Sequence, residues 1–445
     1  MATTHFVRRT GLQNPVRRTP PKLVLIATLL AIAASATVAV RTLGSKSQPV
    51  AASVRAVGPL RGIPALTERV RAVPNDANAW AALGSAYVEE ARLTGDPRNY
   101  PKAEDAIRRS LSITTDGNFG ARYAMAVLAA ARHDFRTALT WGERARTINP
   151  HNAAIHGIIG DALNELGRYP EAFESFQRML DLRPGIGAYA RASYAWELQG
   201  NIANAQRALD LALQAASTPK DGAFATFYLG ELAWTNGRVA EAERWYRESL
   251  AHDPSSTSAI QGLASVAGAR GDFAEALRLS EKAVATSLST HDAAELGDLY
   301  AAAGDSVSAQ RQGERFRELV ALYKANGVDT NLEVALYSAD RNVDLADGLA
   351  AARAEWSRRQ SIHVADALAW SLYANGRYRE ALAYSKQALH LGTRSALFQF
   401  HKGMIERALG MRAAARADLK RAMKINPNFS FLWGPRVVKV LEELA

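Results

Sequence analysis

The chain of 445 residues contains no cysteine. This absence excludes disulfide bonds, thiol nucleophiles and cysteine-ligated metal sites. The sequence also lacks phosphate-binding glycine loops, dinucleotide fingerprints, zinc-protease motifs, and kinase or serine-hydrolase signatures. We therefore expect a protein that is not an enzyme and that uses no cofactor and no metal.

Acidic residues are missing from residues 1–41, which contain six basic ones. The whole chain has 54 basic and 44 acidic residues, so 48 and 44 remain outside this flank, a net charge of only +4. Most of the formal charge of +10 therefore belongs to the N-terminus. No basic stripe with interleaved aromatic residues follows, so we expect no nucleic-acid binding.

One long hydrophobic run, residues 23–40, contains no charge, proline or glycine. As a helix it would span roughly 27 Å, close to the ~30 Å hydrocarbon core of a bilayer. We expect a transmembrane helix here, after a basic cytoplasmic arm (1–22) and before a flexible linker (41–59). The positive-inside rule then places the N-terminus in the cytoplasm and the rest of the chain outside it.

The small residues Ala34-Ser35-Ala36 leave a second interpretation open, because they resemble a signal-peptidase site. Cleavage there would release a secreted, soluble protein. The arm is long for a signal peptide and the apolar run continues past Ala36, which favours an uncleaved anchor. In both interpretations residues 41–445 lie outside the cytoplasm.

A turn pattern recurs along the chain: a small or turn-forming residue, usually an apolar residue two positions later, and Ala three positions after that. It begins at His133, Gly167, Gly200, Gly237, Gly271, Gly304, Gly376 and Gly410. The spacings are 34, 33, 37, 34, 33, 72 and 34 residues, so a degenerate unit without the glycine is expected at roughly 331–362. Residues 80–87 add a W-x2-L-G-x2-Y pattern, typical of the first helix of a repeat.

These features resemble the tetratricopeptide repeat family. The resemblance implies an all-α fold: a right-handed α-solenoid of about ten helix pairs within residues 60–434, closed by a capping helix at 435–445. Each turn residue suits a left-handed helix cap. Eight extra residues in the first repeat, 94–101, are expected to form an insertion in its inter-helix loop. Small residues that allow close helix approach are expected at Gly84, Gly160, Gly230, Gly297 and Gly403.

The resemblance also implies a binding face, because the first helices of such repeats line a concave surface that holds peptides or a partner's helix. The inward candidates are Tyr123, Asp161, Glu165, Tyr194, Glu197, Phe227, Glu231, Trp234, Asp298, Glu333, Tyr337, Asp340, Asp366, Trp370, Tyr373, Phe400 and Arg407. They are mainly acidic and aromatic, which favours a protein or peptide partner with a basic, partly apolar segment. A plainer interpretation stays open: the aromatic residues pack between repeats and the acids only contact solvent.

The sequence thus predicts a non-catalytic, membrane-anchored scaffold for protein–protein interaction, with its repeat array outside the cytoplasm. Two alternatives remain. One is a secreted, soluble binding module. The other is a subunit of an envelope transport or surface-polymer assembly.

Overall fold

The computed structural model describes residues 62–444, apart from the side chain of Thr286. The predicted cytoplasmic arm (1–22), membrane helix (23–40) and linker (41–59) lie outside the described residues. Within residues 62–444 every regular element is a helix, which confirms the all-α class for this part of the chain. None of these helices combines the length and the apolar character that a membrane span needs.

Between residues 62 and 444 the chain forms 22 helices, numbered here in chain order. They are α1 (Ile63–Ala72), α2 (Ala77–Thr94), α3 (Asn99–Ile113), α4 (Phe119–Ala131), α5 (Phe135–Arg146), α6 (Ala153–Glu165), α7 (Tyr169–Leu182), α8 (Ile186–Leu198), α9 (Ile202–Gln214), α10 (Pro219–Thr235), α11 (Val239–His252), α12 (Thr257–Ala269), α13 (Phe273–Thr286), α14 (Thr290–Ala302), α15 (Ser306–Ala325), α16 (Asn331–Arg341), α17 (Leu345–Arg358), α18 (Ile362–Ala374), α19 (Tyr378–Ala388), α20 (Ala396–Ala408), α21 (Arg412–Ile425) and α22 (Gly434–Glu443). Helices α2 to α21 form ten pairs, each helix packing mainly against its partner. We call these pairs repeats 1 to 10. Their number in the described chain agrees with the turn spacing.

The turn inside each repeat contains a residue with a left-handed backbone. The seven predicted turn glycines have φ angles between 70° and 87°. His133 takes the same conformation at φ 61°, and Asn342 takes it at φ 55° in the degenerate repeat 8. Asparagine tolerates this region better than most residues with a side chain. Repeat 8 therefore keeps the turn although it lacks the glycine.

Small residues in the first helices bring paired helices together, as predicted. A Cβ atom added at Gly160 would lie 2.5 Å from the ring of Phe176, and one added at Gly230 would lie 2.5 Å from the ring of Tyr246. Both distances are shorter than real carbon contacts, so even alanine would force the helices apart. A Cβ atom added at Gly84 would be as close to Ile107, and one added at Gly403 would lie 2.8 Å from Leu419, whereas one at Gly297 would leave 3.3 Å to Gln312.

The first repeat differs from the prediction. Instead of a long loop over residues 94–101, α2 runs to Thr94 and α3 begins at Asn99, which leaves only four residues between them. Tyr100 is buried in the core of repeats 1 and 2, where Val88 also packs. The extra residues therefore lengthen both helices, because their apolar side chains find a place in the core.

The array also makes contacts between repeats that are five positions apart. The turn inside each of repeats 1 to 5 lies against the segment that ends one of repeats 6 to 10. The close pairs are Gly95 with Leu288, His133 with Asp329, Gly167 with Gln360, Gly200 with Gly392, and Gly237 with Ile425. We call this line of contacts the seam.

Candidate functional site

A cavity of about 570 Å³ lies between the first helices of repeats 5 to 8. We call it the inner cavity. All of its predicted residues lie on helices α10, α14 and α16. The residues that the sequence predicted and the structure brings together here are Phe227, Glu231, Trp234, Asp298, Glu333, Tyr337 and Asp340.

The sequence reasoning missed part of the lining. Glu295 stands three residues before Asp298 on α14, and Ser265 lies on α12. Glu295 could have been found, since residues three apart share a helix face. The segment 428–431 could not, because it follows repeat 10 and reaches the cavity only through the seam.

The lining is strongly acidic and partly aromatic. Its carboxylates are Glu231, Asp292, Glu295, Asp298, Glu333 and Asp340, and its basic side chains are Arg341 and His291. Arg341 forms an ion pair with Asp298 and donates to the carbonyl of Ala294 at 2.9 Å. More carboxylates than cations therefore face the cavity, so a ligand with positive charge is favoured there.

Neutral donors hold three of these acids in place. The Tyr246 hydroxyl donates to Glu231 at 2.6 Å, and the Ser265 hydroxyl donates to Glu295 at 2.7 Å. The indole N–H of Trp370 donates to Asp340 at 2.8 Å. Oε2 of Glu333 is buried without a hydrogen bond among the described residues. A ligand that donates a hydrogen bond to this buried oxygen would therefore bind more favourably.

Burial dominates the electrostatics of the inner cavity. It raises the pKa of Asp298 to about 7, although Arg341 opposes the shift. It also raises the pKa of Glu231 and of Asp340. Glu197, one repeat earlier, has its pKa raised to about 7 by burial and by the charge of Glu231. A cation placed among these groups would favour their ionised form and would itself be stabilised.

Five predicted residues lie outside the cavity in repeats 2 to 4, namely Tyr123, Asp161, Glu165, Tyr194 and Glu197. Asp161 forms an ion pair with Arg191 at 2.6 Å, and the charges of both act on the hydroxyl of Tyr123, whose pKa burial raises. Glu165 and Tyr194 contact the other side of the seam: Glu165 pairs with Arg359 at 2.5 Å, and Tyr194 hydrogen-bonds to His363 at 3.1 Å. Both side chains are thus engaged within the chain itself.

Three predicted residues are buried, so the expectation that they line an open face is wrong. Asp366, Trp370 and Phe400 are each 1% exposed. The Trp370 ring stacks on His401 with ring centroids 4.2 Å apart, and Asp366 pairs with the same histidine at 2.9 Å.

The physical reason is the C-terminal segment, whose Phe429, Trp433 and Val437 pack into the same cluster as Trp370 and Phe400. This segment fills the inner side of repeats 9 and 10. Tyr373 is partly buried beside the cluster, and exposed Arg407 forms an ion pair with Glu443 of α22 at 2.5 Å. That any of the predicted residues contacts a partner stays a prediction.

Within residues 62–444, no group of three or more His, Asp or Glu side chains is placed to hold a metal ion.

Paired helices in tandem, left-handed turns at repeat spacing and a lined inner cavity define an α-helical repeat protein. The sequence profile described as Tetratricopeptide repeat matches residues 123–185, 189–257 and 367–428. These three segments are tetratricopeptide repeats, as the turn series and signature predicted.

A curated relative is the cellulose synthase 1 operon protein C of Komagataeibacter xylinus. It is 31% identical over 202 residues, which are 43% of this chain and 15% of that protein. The chain thus spans only a small part of this relative's length.

Solved structures with a similar fold include the Cut9–Hcn1 hetero-tetramer of the APC/C, with 15% identity, a TM-score of 0.40, and coverage of 83% of this chain and 76% of that one. Yeast Tom70 has 12% identity, a TM-score of 0.36, and coverage of 86% and 84%. A thermophilic repeat protein of Thermus thermophilus has 20% identity, a TM-score of 0.38, and coverage of 43% and 98%.

Proposed function

We propose that this protein is a non-catalytic scaffold that holds a basic, partly apolar segment of another protein in the inner cavity. The observation that carries the proposal is the lining itself, in which six carboxylates face two basic side chains and stand among Phe227, Trp234 and Tyr337. Tetratricopeptide repeats are suited to protein–protein interaction, and their fold is generally a non-catalytic scaffold.

The chemistry of the lining selects this partner over an acidic or a purely apolar one. Desolvation already raises the pKa of Asp298, Glu231 and Asp340, so a second acidic surface would add repulsion. A lysine or arginine side chain offsets that desolvation and supplies donors to unpaired acceptors such as Oε2 of Glu333. The aromatic rings give apolar residues of the same segment a surface to pack on.

The second part of the proposal concerns location: residues 23–40 anchor the chain, and the array lies outside the cytoplasm. The apolar run and the basic flank before it support this topology. Reporter fusions after Arg61 test it, because only a reporter that works outside the cytoplasm should be active. A mature protein that begins at Thr37 would instead support the secreted alternative.

A further candidate is a role in a surface-polymer assembly, where the array would hold another subunit. The similarity to a protein named for a cellulose synthase operon favours it. Affinity capture with the full-length chain from envelope extracts tests this role. Recovery of polymer-synthesis subunits supports it, and their absence among captured proteins counts against it.

A peptide that alternates arginine and leucine tests the cavity directly. We expect it to bind the full-length chain with an affinity that falls as salt rises, because exposed charges are screened over about 8–10 Å at physiological ionic strength. The double variant Glu231→Gln, Glu333→Gln should weaken binding and flatten the salt dependence. Trp234→Ala should mainly speed dissociation, since it removes an aromatic anchor.

The matched control is Glu248→Gln, which removes an exposed carboxylate from α11 outside the cavity. It should leave affinity and salt dependence unchanged. Equal binding by the parent, the cavity variants and this control would show that the peptide sits elsewhere. Helix content measured by circular dichroism shows whether each variant is folded.

A further inference from the structure

The seam is unusual for a repeat array, in which each unit ordinarily contacts only its neighbours. Here every turn of repeats 1 to 5 meets the segment that ends the repeat five positions later. The constant offset indicates one continuous contact line rather than scattered touches. The seam is therefore a regular interface between repeats 1 to 5 and repeats 6 to 10.

Backbone groups carry much of the polar contact. The Tyr323 hydroxyl donates to the carbonyl of Gly95 at 3.0 Å, and the backbone N–H of Asp329 donates to the carbonyl of Arg132 at 3.1 Å. The backbone N–H of Ile362 donates to the Tyr169 hydroxyl at 2.7 Å. These bonds join backbone groups on one side of the seam to partners on the other, and the buried N–H of Ile362 finds its acceptor there.

The seam also has an apolar core. Tyr169 and Leu198, from repeats 3 and 4, are buried together with Ile362, Ala388 and Phe398, from repeats 9 and 10. Apolar area removed from water stabilises the contact. The two halves of the array therefore share a buried cluster as well as hydrogen bonds.

At the turn glycines of repeats 3 to 5, the two sides of the seam approach each other closely. A Cβ atom added at Gly167 would lie 2.5 Å from the carbonyl oxygen of Gln360, and one added at Gly237 would lie 2.7 Å from that of Ile425. Gly200 meets the carbonyl oxygen of Gly392 in the same way. At the turn glycines of repeats 6, 7, 9 and 10, an added Cβ atom would have no neighbour within 4 Å. These glycines are Gly271, Gly304, Gly376 and Gly410.

The inner cavity depends on the seam. The side chain of Asn426 donates to the carbonyl of Trp234 at 2.9 Å, which fixes the chain just before the segment 428–431. That segment and Leu397 line the cavity together with residues of α10, five repeats earlier. Separation of the seam would move one side of the cavity away from the other.

We propose that the seam is a clasp: while it is closed it completes the inner cavity and retains the bound segment, and its opening releases that segment. The proposal deepens the proposed function, on which its second half rests. The class of ligand is the basic, partly apolar peptide segment described above.

The test measures the distance between two spin labels in the full-length chain. Because the protein has no cysteine, labels can be attached only at introduced ones, Arg136→Cys and Ser357→Cys. In the parent the Arg136 guanidinium donates to the carbonyl of Ser357 at 2.8 Å across the seam, so the labels report its closure. The clasp predicts a short, narrow distance distribution.

The seam variant carries Gly167→Ala, Gly200→Ala and Gly237→Ala, and the matched control carries Gly271→Ala, Gly304→Ala and Gly376→Ala. Both sets place alanine at three left-handed turns, but only the first inserts methyl groups between the two sides of the seam. We expect a longer and broader distance distribution in the seam variant and the parent's distribution in the control. The same distribution in both variants would overturn the clasp.

The arginine–leucine peptide gives the second readout. It should dissociate several-fold faster from the seam variant than from the control. Equal dissociation rates despite an open seam would refute retention by the clasp. Failure of the peptide to bind even the parent would refute the proposed function, while the label distances would still decide whether the seam opens. If the triple seam variant loses its helix content, Gly200→Ala alone, compared with Gly376→Ala, gives the same readout.

Discussion

The turn glycines of repeats 3 to 5 and those of repeats 6, 7, 9 and 10 come from one sequence motif and share one backbone conformation. Their surroundings differ: the first group presses against backbone carbonyls across the seam, and the second group faces open space. The motif therefore specifies the local turn, and position in the array specifies what the turn touches. Substitutions at equivalent positions on the two sides can separate these contributions.

The largest difference in stability is expected between an arginine in the seam, Arg359, and an arginine at an open turn, Arg377. Arg359 lies in the seam, 6% exposed, and pairs with both Glu165 and the buried Glu355. Arg359→Ala should destabilise the protein by about 3 kcal/mol, because it removes the cation from the pairs with Glu165 and Glu355 and leaves the buried Glu355 only its ion pair with Arg358 at 3.2 Å. Arg377→Ala removes an exposed pair with Glu380 at the open turn of repeat 9 and should cost less than about 1 kcal/mol.

Urea unfolding followed by helix content measures both changes. A double-mutant cycle of Arg359→Ala with Glu165→Ala then isolates the coupling across the seam. A coupling energy near zero would mean that this ion pair contributes nothing to holding the two sides together.

The second comparison uses the aromatic residue two positions after the turn. The Tyr169 hydroxyl accepts a hydrogen bond from the buried backbone N–H of Ile362, whereas Tyr378, its equivalent in repeat 9, is 36% exposed. Tyr169→Phe should cost about 1–3 kcal/mol, since a buried donor loses its acceptor. Tyr378→Phe should change stability by less than about 0.5 kcal/mol. Equal shifts of the two urea midpoints would contradict the difference between seam and open turns.

These pairs also show what the sequence could predict. Gly200 and Gly376 are indistinguishable by spacing and motif, so the number of repeats, the turns and the close helix pairs could be predicted from local patterns. The seam joins residues five repeats apart, and it depends on how small rotations between successive repeats add up. No single repeat contains that information.

The inner cavity, too, could be predicted only as far as local patterns determine it. The helix register predicted seven residues of the inner cavity, because first helices repeat the same inward positions. It misplaced Trp370 and Phe400, because a segment after the last repeat covers them. It also missed residues 428–431, which the seam brings to the cavity. Local periodicity predicts which face a residue occupies but not what covers that face.

A third comparison concerns the pH dependence of stability at two acids, Glu197 of α8 and Glu165 of the seam. Burial and the charge of Glu231 raise the pKa of Glu197 to about 7. The folded protein thus binds more protons than the unfolded chain between about pH 4.5 and 7, and the Glu197 contribution to stability falls as pH rises through this window. Glu197→Gln should therefore stabilise the protein by about 1–2 kcal/mol at pH 8 and bring no gain at pH 4.

Glu165→Gln should do the opposite at pH 8, because the carboxylate of Glu165 meets Arg359 across the seam. Unfolding of both variants at the two pH values checks the signs. A gain from Glu165→Gln at pH 8 would show that the seam pair does not offset its own desolvation.

The smallest effects concern the two turn residues that are not glycine. Asn342 has a left-handed backbone at φ 55° and an exposed side chain, so Asn342→Gly should relieve strain. The relief is partly offset by the larger entropy of glycine in the unfolded chain, and we expect a net gain of about 0.5 kcal/mol.

His133 has a similar backbone, at φ 61°, but its Nδ1 hydrogen-bonds to the carbonyl of Asp329 at 2.8 Å across the seam. His133→Gly gains the same relief and loses a bond with a net contribution of about 1 kcal/mol, so it should destabilise by a few tenths of a kcal/mol. Urea midpoints of the two variants should move in opposite directions. Because the backbone contribution is common to both, their difference reports the contacts of the His133 ring, which are the bond across the seam and the stacking on Phe135. Movement in the same direction by the same amount would assign no stability to these contacts.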